Sequence, residues 1–318
     1  MQVVLKILQF LLFPGLLFTL VMSFLLAGLD RKWVAKMQRR VGPPLLQPVY
    51  DYLKCIGKET IVPRKANRTM FLAAPLLGLA SVLVTALFIP VGGTAAFSTA
   101  ADMVVVLYLL TFASVTVIMG SAASGSPFAG VGLSREMVSM ISYELPFVLV
   151  LLAVGKVAGG ASALGVTFSF ADIAAWQGAH GALITHWALL PAALAMLLVI
   201  PCEVGQQPFD IDEAETEICE GVLAEYSGHP LGRYKLMHNV KMFLMSGLFC
   251  ALFLNVQTGL PALDAALYVV FCAIVTFFSM SLPHAVCARF KVEQVFKFYW
   301  TVVAGLAAVS LLLVWLGL

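Results

Sequence analysis

The sequence predicts an all-α integral membrane protein: eight transmembrane helices, an amphipathic helix on the cytoplasmic surface and an acidic loop, forming one polytopic domain over residues 1–318. Three observations predict it. The chain is 61% apolar and only 11% charged, with a mean hydropathy of +0.97, far from the roughly half-apolar makeup of soluble domains. Uncharged runs long enough to cross about 30 Å of hydrocarbon recur along it. Lys and Arg gather in alternate loops.

The first run, Ile7 to Leu29, has 23 residues without a charge. It reads as a retained helix, because it is longer than a signal core and a dense basic segment follows it. Pro14 is placed to kink it. Further spans read as Met70 to Pro90, Met103 to Ala123, Met137 to Gly155, Trp187 to Cys202, Met242 to Val256, Ala262 to Pro283 and Tyr299 to Leu318. Lys241 is expected to snorkel from the end of the short sixth span. The loops at about 30–69, 124–136, 203–241 and 284–298 then share one side. Ten Lys and Arg fall between Asp30 and Thr69, against essentially Lys6 and Lys156 on the other side. The positive-inside rule sets the basic loops in the cytoplasm and both termini on the outer side of the cytoplasmic membrane.

In the first of these loops Leu45, Leu46, Val49, Tyr50, Leu53 and Ile56 lie beside Lys54 and Lys58, largely at spacings of three and four. That pattern suits a helix lying along the membrane surface, or a basic loop holding anionic headgroups. The loop near 124–136 is Gly- and Ser-rich, so GSPFAGVG reads as irregular backbone before a helix start at Ser134. Glu136 then sits in a first turn, where the helix dipole favours an acid. Arg135 and Glu136 also fit an ordinary helix-end charge pair.

The densest chemistry runs from Glu203 to Gly228, with eight carboxylates where an apolar run stops. Asp210, Glu213, Glu217 and Glu220 recur at spacings of three and four, as on one face of a short helix. Like charges so placed repel, so the segment needs cationic partners, shared protons or a wet cavity. Clustered carboxyls titrate as a coupled set, which suits a proton relay. Glu144 in ISYELP lies about two turns inside the fourth span, where an acid is a functional candidate by default. Pro146 beside it leaves a backbone carbonyl free. The six cysteines and five histidines are dispersed, without the spacing of a metal or iron–sulfur site, and nothing points to nucleic acid.

The run PFDIDEAETEICEGVLAEYSG resembles the acidic cytoplasmic loop of the membrane subunit that respiratory complex I shares with energy-converting nickel–iron hydrogenases. Within that superfamily two features are similar to the hydrogenase branch. Arg40-Val41-Gly42-Pro43-Pro44 runs directly to Leu46-Gln47 without the insert usual in complex I, and GSPFAGVG leads into Ser134, Arg135 and Glu136. The resemblance implies a membrane anchor and ion-path subunit of a hydrogenase complex, coupling ferredoxin-, CO- or formate-linked hydrogen evolution to ion translocation, with no cofactor of its own. Hydrogenase large and small subunits, an iron–sulfur subunit and an antiporter-like membrane subunit are the implied partners; they would carry the nickel–iron centre and iron–sulfur clusters. The alternative is the quinone-site subunit of a complex I-type NADH:quinone oxidoreductase. An independent secondary transporter would show an internal repeat, which the sequence lacks.

The expected proton path comprises Glu136, Glu144, Glu203, Asp210, Glu213, Glu215, Glu217, Glu220 and Glu225. Arg39, Arg40, Gln47, Arg135, Gln206, Arg289 and Lys291 are expected to line a cavity or dock a cytoplasmic module. Glu293, Gln294 and Trp300 extend the family pattern around Arg289 and Lys291. One departure stands out: Gln206 takes the place of the Arg or Lys usual three residues after the counterpart of Glu203. The sequence therefore leaves Glu203 without a neighbouring cation, an arrangement that favours a protonated acid.

Overall fold

The computed structural model describes residues 9–93, 95–97, 99, 102–160, 165–255 and 259–317, with the side chains of Glu215, Thr216 and Pro261 outside that description. Lys6 and the expected span ends at Ile7, Val256 and Leu318 also lie outside the described residues. Among the described residues eight helices are long and apolar enough to cross a membrane. The multi-pass, all-helical architecture read from the hydropathy is the one observed.

Helix α1 (Leu16–Met37) follows a break in the helical turns around Pro14, whose ring nitrogen has no hydrogen to donate. The surface helix α2 (Gln47–Ile56) forms as its spacing predicts. Pro48 and Cys55 face inward while Tyr50 and Leu53 stay exposed. It rests against α8 where Gly232 lacks a side chain, since a Cβ there would stand 3.1 Å from that of Cys55.

The next two spans, α3 (Arg68–Phe88) and α4 (Asp102–Ser124), are an antiparallel pair. Their 21 and 23 residues are about 30–35 Å long at 1.5 Å per residue, matching the hydrocarbon. Beyond α5 (Pro127–Ala158) an outer segment carries the short helix α6 (Phe170–His180). Then come α7 (Leu190–Val204), α8 (Gly228–Phe253), α9 (Ala262–Val286) and α10 (Val292–Trp315). Helix α8 is the central post, with 89% of its most apolar window buried inside the protein, against 28% for α10 at the rim.

Four expectations need correcting. Helix α5 starts at Pro127, not at Ser134, so GSPFAGVG is mostly helical and Arg135 and Glu136 lie in its third turn. Proline suits a first helical position, and small residues let the acidic loop close on the helix: a Cβ on Gly132 would stand 2.7 Å from the Val222 nitrogen. Helix α8 starts at Gly228, not Met242, which puts Lys241 well inside it, roughly 20 Å from its cytoplasmic start. Lys241 is 5% exposed and does not snorkel. Likewise α10 begins at Val292, ahead of the expected Tyr299.

The fourth correction concerns the acids. Asp210, Glu213, Glu217 and Glu220 do not share a helical face. Only Glu215–Ile218 is helical, and Cys219 and Glu220 turn left-handed at φ 51° and 64°. The chain is pinned here by apolar anchors: Phe209 stacks on Phe290 at 5.4 Å and meets Tyr299 edge-on at 5.2 Å, and Ile211 is buried. Those anchors fan the carboxyls onto different sides, which relieves the repulsion a helix would impose.

Gly132→Ala should loosen the acidic loop from α5, at a cost of about 1–3 kcal/mol typical of forced overpacking. Hydrogen exchange across residues 209–223 would rise by about tenfold or more; native-level protection in this variant would refute the close approach as the anchor.

Candidate functional site

Where the ends of α1, α5, α7 and α8 on the side of the basic loops meet the acidic loop, they enclose a cavity of about 200 Å³. Near its outer end stand Arg31 and Asp51, 2.7 Å apart, with Tyr52 and Pro48 of α2. Its inner end reaches Glu203, Lys241 and Ser114, so it runs from the surface helix to the interior of the helix bundle. At roughly 30 Å³ per water the volume suits about six waters, and its polar lining can hold them.

The inner end is a four-residue ring. Glu203, in the last turn of α7, and Lys241 of α8 form an ion pair at 2.9 Å, both side chains almost fully buried. Glu203 Oε1 has no aligned hydrogen bond in this contact, whereas the ammonium donates to Ser114 Oγ at 2.9 Å. Ser114 Oγ also meets Tyr143 Oη at 3.2 Å, and Tyr143 closes the ring against Glu203. Breaking a buried pair by removing one partner typically destabilises by about 3–5 kcal/mol, so the ring is also structural.

Helix α7 is aimed by two neighbours. Pro201 cannot donate to the Leu197 carbonyl, and Ser279 Oγ does so instead at 2.8 Å. Tyr299 Oη donates to the Leu198 carbonyl at 2.6 Å. Ser279 and Tyr299 each lie in a π-helical turn, a wide turn frequent at functional sites. Gly205 then ends α7 in the left-handed region at φ 77°, and Gln206 folds back toward α1.

Towards the mouth the wall is acidic. Glu136, Asp212 and Glu213 line the cavity. Burial, then the Glu213 carboxylate, push Asp212 up to about 8. Burial, then the Glu136 carboxylate, push Glu213 up to about 7. Asp51 at the mouth goes the other way: burial opposes its charge, but Arg31 and Gln47 outweigh that and hold its carboxyl below the usual range. The two acids that hold protons near neutral pH thus lie between the Arg31–Asp51 contact at the mouth and the Glu203–Lys241 contact inside.

The structure sorts the expected path residues. It brings Glu136, Glu203 and Glu213 together at the cavity, and adds Asp212, which spacing arguments passed over because it falls outside the three-four series. Asp210 is instead clamped by Arg289, Nε at 3.0–3.1 Å and Nη2 at 2.8 Å, where burial still outweighs the guanidinium and raises its carboxyl. Glu217 pairs with Arg135 at 2.5 Å, and Arg135 also donates to the Ile211 carbonyl. Glu220 is exposed, Glu225 is half-buried away from the lining, and the Glu215 side chain lies outside the described residues. Glu144 is half-buried one residue beyond Tyr143 and does not line the cavity.

Among the expected docking residues, Arg39, Arg40 and Lys291 are exposed, and Gln47 donates to Asp51 at 2.9 Å. Arg135, Arg289 and Lys291 share a second, shallow depression with Glu217 and Gln294.

Two corrections concern charge. Glu203 is not without a cation, because Lys241 supplies the one that Gln206 lacks. Gln206 Nε2 donates to Asp30 at 2.8 Å, and Ser281 Oγ donates to the other Asp30 oxygen at 2.6 Å. Lys235, His238 and Lys241, every third residue on α8, all line the cavity. That stripe inside an apolar helix is the signal the sequence offered for them.

The NADH dehydrogenase family profile matches residues 8–315. The chain belongs to the NADH dehydrogenase family. Within that family it is 34% identical to a membrane subunit of the NADH-quinone oxidoreductase of Thermomicrobium roseum, over 89% of this chain and 87% of that one. It is 31% identical to NADH-quinone oxidoreductase subunit 8 of Thermus thermophilus, over 86% and 76% respectively. A chain of the membrane-bound sulfane sulfur reductase, an archaeal respiratory membrane complex, superposes with a TM-score of 0.86 at 28% identity, over 99% of this chain and 100% of that one. This is therefore a multi-pass membrane subunit of the complex I type, with a counterpart in a second respiratory membrane complex.

The loop acids give a pH dependence of known sign. Asp212 and Glu213 bind protons more tightly folded than unfolded, so their contribution is complete below about 4 and is lost as pH rises through about 7 and then about 8. Protection of amides 210–223 from hydrogen exchange, corrected for base catalysis, should fall between about pH 6 and 9. An Asp212→Asn/Glu213→Gln variant should flatten that slope; an unaltered slope would count against these two acids as its source.

Proposed function

We propose that this chain is the proton-handling membrane base of a multisubunit complex I-type oxidoreductase, on whose acidic loop a cytoplasmic electron-transfer module stands and reduces a quinone. One observation carries the reading: a polar cavity runs from the rim at the acidic loop to a buried carboxylate and is lined by acids on the way. A charge change at the module's docking face is felt first by Asp210, Arg289, Arg135 and Glu217. Those residues hold the loop that supplies Asp212 and Glu213 to the cavity. Movement of that loop alters the separation of the carboxyls, and with it which of them keeps a proton.

The relatives named for NADH and quinone support a quinone acceptor. The cavity supports a division of labour. Its polar interior suits water, and the quinone headgroup is assigned to the mouth, beside Tyr52 and Arg31. The hydrogenase reading, with ferredoxin as donor and a nickel–iron partner, is supported by the compact Arg40–Gln47 segment and by Ser134-Arg135-Glu136.

Purification of the assembled complex separates the two readings. Quinone-reductase activity inhibited by quinone analogues is expected; ferredoxin-linked hydrogen evolution by a nickel-bearing partner would replace quinone with protons as acceptor. In vesicles, Glu203→Gln or Asp212→Asn should lower protons moved per electron severalfold. Native stoichiometry in both variants would sink the proton-handling role itself.

A further inference from the structure

We infer that Lys241 is a tethered counter-cation whose ammonium moves between Glu203 and the Glu136–Asp212 carboxylates, and that this movement times the filling of Glu203. The inference rests on the proton-handling reading above and names the residue that would time it. Three observations carry it.

The first is the contact itself. The ammonium lies 2.9 Å from Glu203 Oε1 outside hydrogen-bond alignment, while its aligned bond goes to Ser114 Oγ. Charge attracts it to Glu203, but the geometry anchors it to a neutral hydroxyl. Serine offers two lone pairs and one rotatable proton. Ser114 can therefore stay bonded to the ammonium while its own proton turns toward or away from Tyr143 Oη.

The second is space. Lys241, Ser114, Glu203, Glu136 and Asp212 all line the same cavity, and the ammonium is within electrostatic reach of Glu136 and Asp212 as well as of Glu203. A lysine on four rotatable carbons can cross such a gap without moving the backbone; a planar guanidinium, bonding Glu203 in two places, cannot leave as readily.

The third is the charge count. Four carboxyls, Glu203, Glu136, Asp212 and Glu213, face the inner cavity, and Lys241 is the ammonium that touches Glu203. His238 and Lys235 follow it toward the mouth on the same stripe of α8. One ammonium neutralises one buried carboxylate at a time. When it turns to the Glu136–Asp212 side, an acid there gives up its proton, which the cavity water relays to Glu203, forming one O–H bond and leaving Glu203 neutral. When it returns, Glu203 releases that proton to the cavity water, breaking the O–H bond and becoming a carboxylate again. The number of protons on Lys241 never changes.

The test uses the whole complex in vesicles, reading protons moved per electron and the protonated-carboxyl stretch in redox-difference infrared spectra. In Lys241→Met the redox-linked carboxyl band should vanish and stoichiometry fall at least fivefold. Lys241→Arg, which keeps the charge but binds Glu203 in two places, should keep assembly and still lose at least half of the stoichiometry. Full function in Lys241→Arg would mean a fixed counter-charge suffices and would overturn the movement. Should Lys241→Met fail to assemble, Ser114→Ala removes the anchor without touching any charge, and severalfold lower stoichiometry is expected; a native value overturns the inference. Glu203→Gln is the control: if it too keeps native stoichiometry, the proton-handling reading has failed, whereas its loss beside native Ser114→Ala and Lys241→Arg would remove the moving cation alone.

Discussion

The constraint on which the rest of the structure depends is the burial of two opposite charges, Glu203 and Lys241, at the inner end of one cavity. Either charge alone in that setting would be prohibitive, and together they hold only where neighbouring polar groups complete the set. Ser114 and Tyr143 do so from α4 and α5, so four helices are committed to one ring. The central position of α8 follows, since the helix that delivers the ammonium must sit where three others can reach it.

The aim of α7 is secured just as locally. Pro201 forfeits one backbone bond two residues before Glu203, and the carbonyl it abandons is taken by Ser279 of α9. Tyr299 of α10 takes the next carbonyl. Both donors come from π-helical turns, which widen the helix enough to push those side chains toward α7. Glu203 is thus carried by a helix end whose backbone bonds are completed by α9 and α10.

The acidic loop shows why so many carboxyls are tolerated. Asp210 and Glu217 are spent on Arg289 and Arg135 at the outward side of the loop, while Asp212 and Glu213 turn inward and keep protons near neutral pH. The outward pairs hold the loop in place and the inward acids face the cavity water. Gly132 makes the arrangement possible by letting the loop backbone lie directly on α5.

Length and hydropathy alone determined the number of spans and the surface helix, because a hydrocarbon slab imposes a one-dimensional rule that each stretch satisfies by itself. The concentration of acids after α7 was equally plain, as was the absence of a cation at Gln206. What the residues could not declare was pairing. Lys241 stood at the edge of a hydropathy window and was read as a terminal lysine, and Asp212 fell outside a helical series that the chain does not form. Which carboxyl meets which cation depends on side chains brought together from distant parts of the chain, as Glu203 with Lys241 and Asp210 with Arg289. Burial, the quantity that decides where a proton rests, exists only once the helices have closed around them.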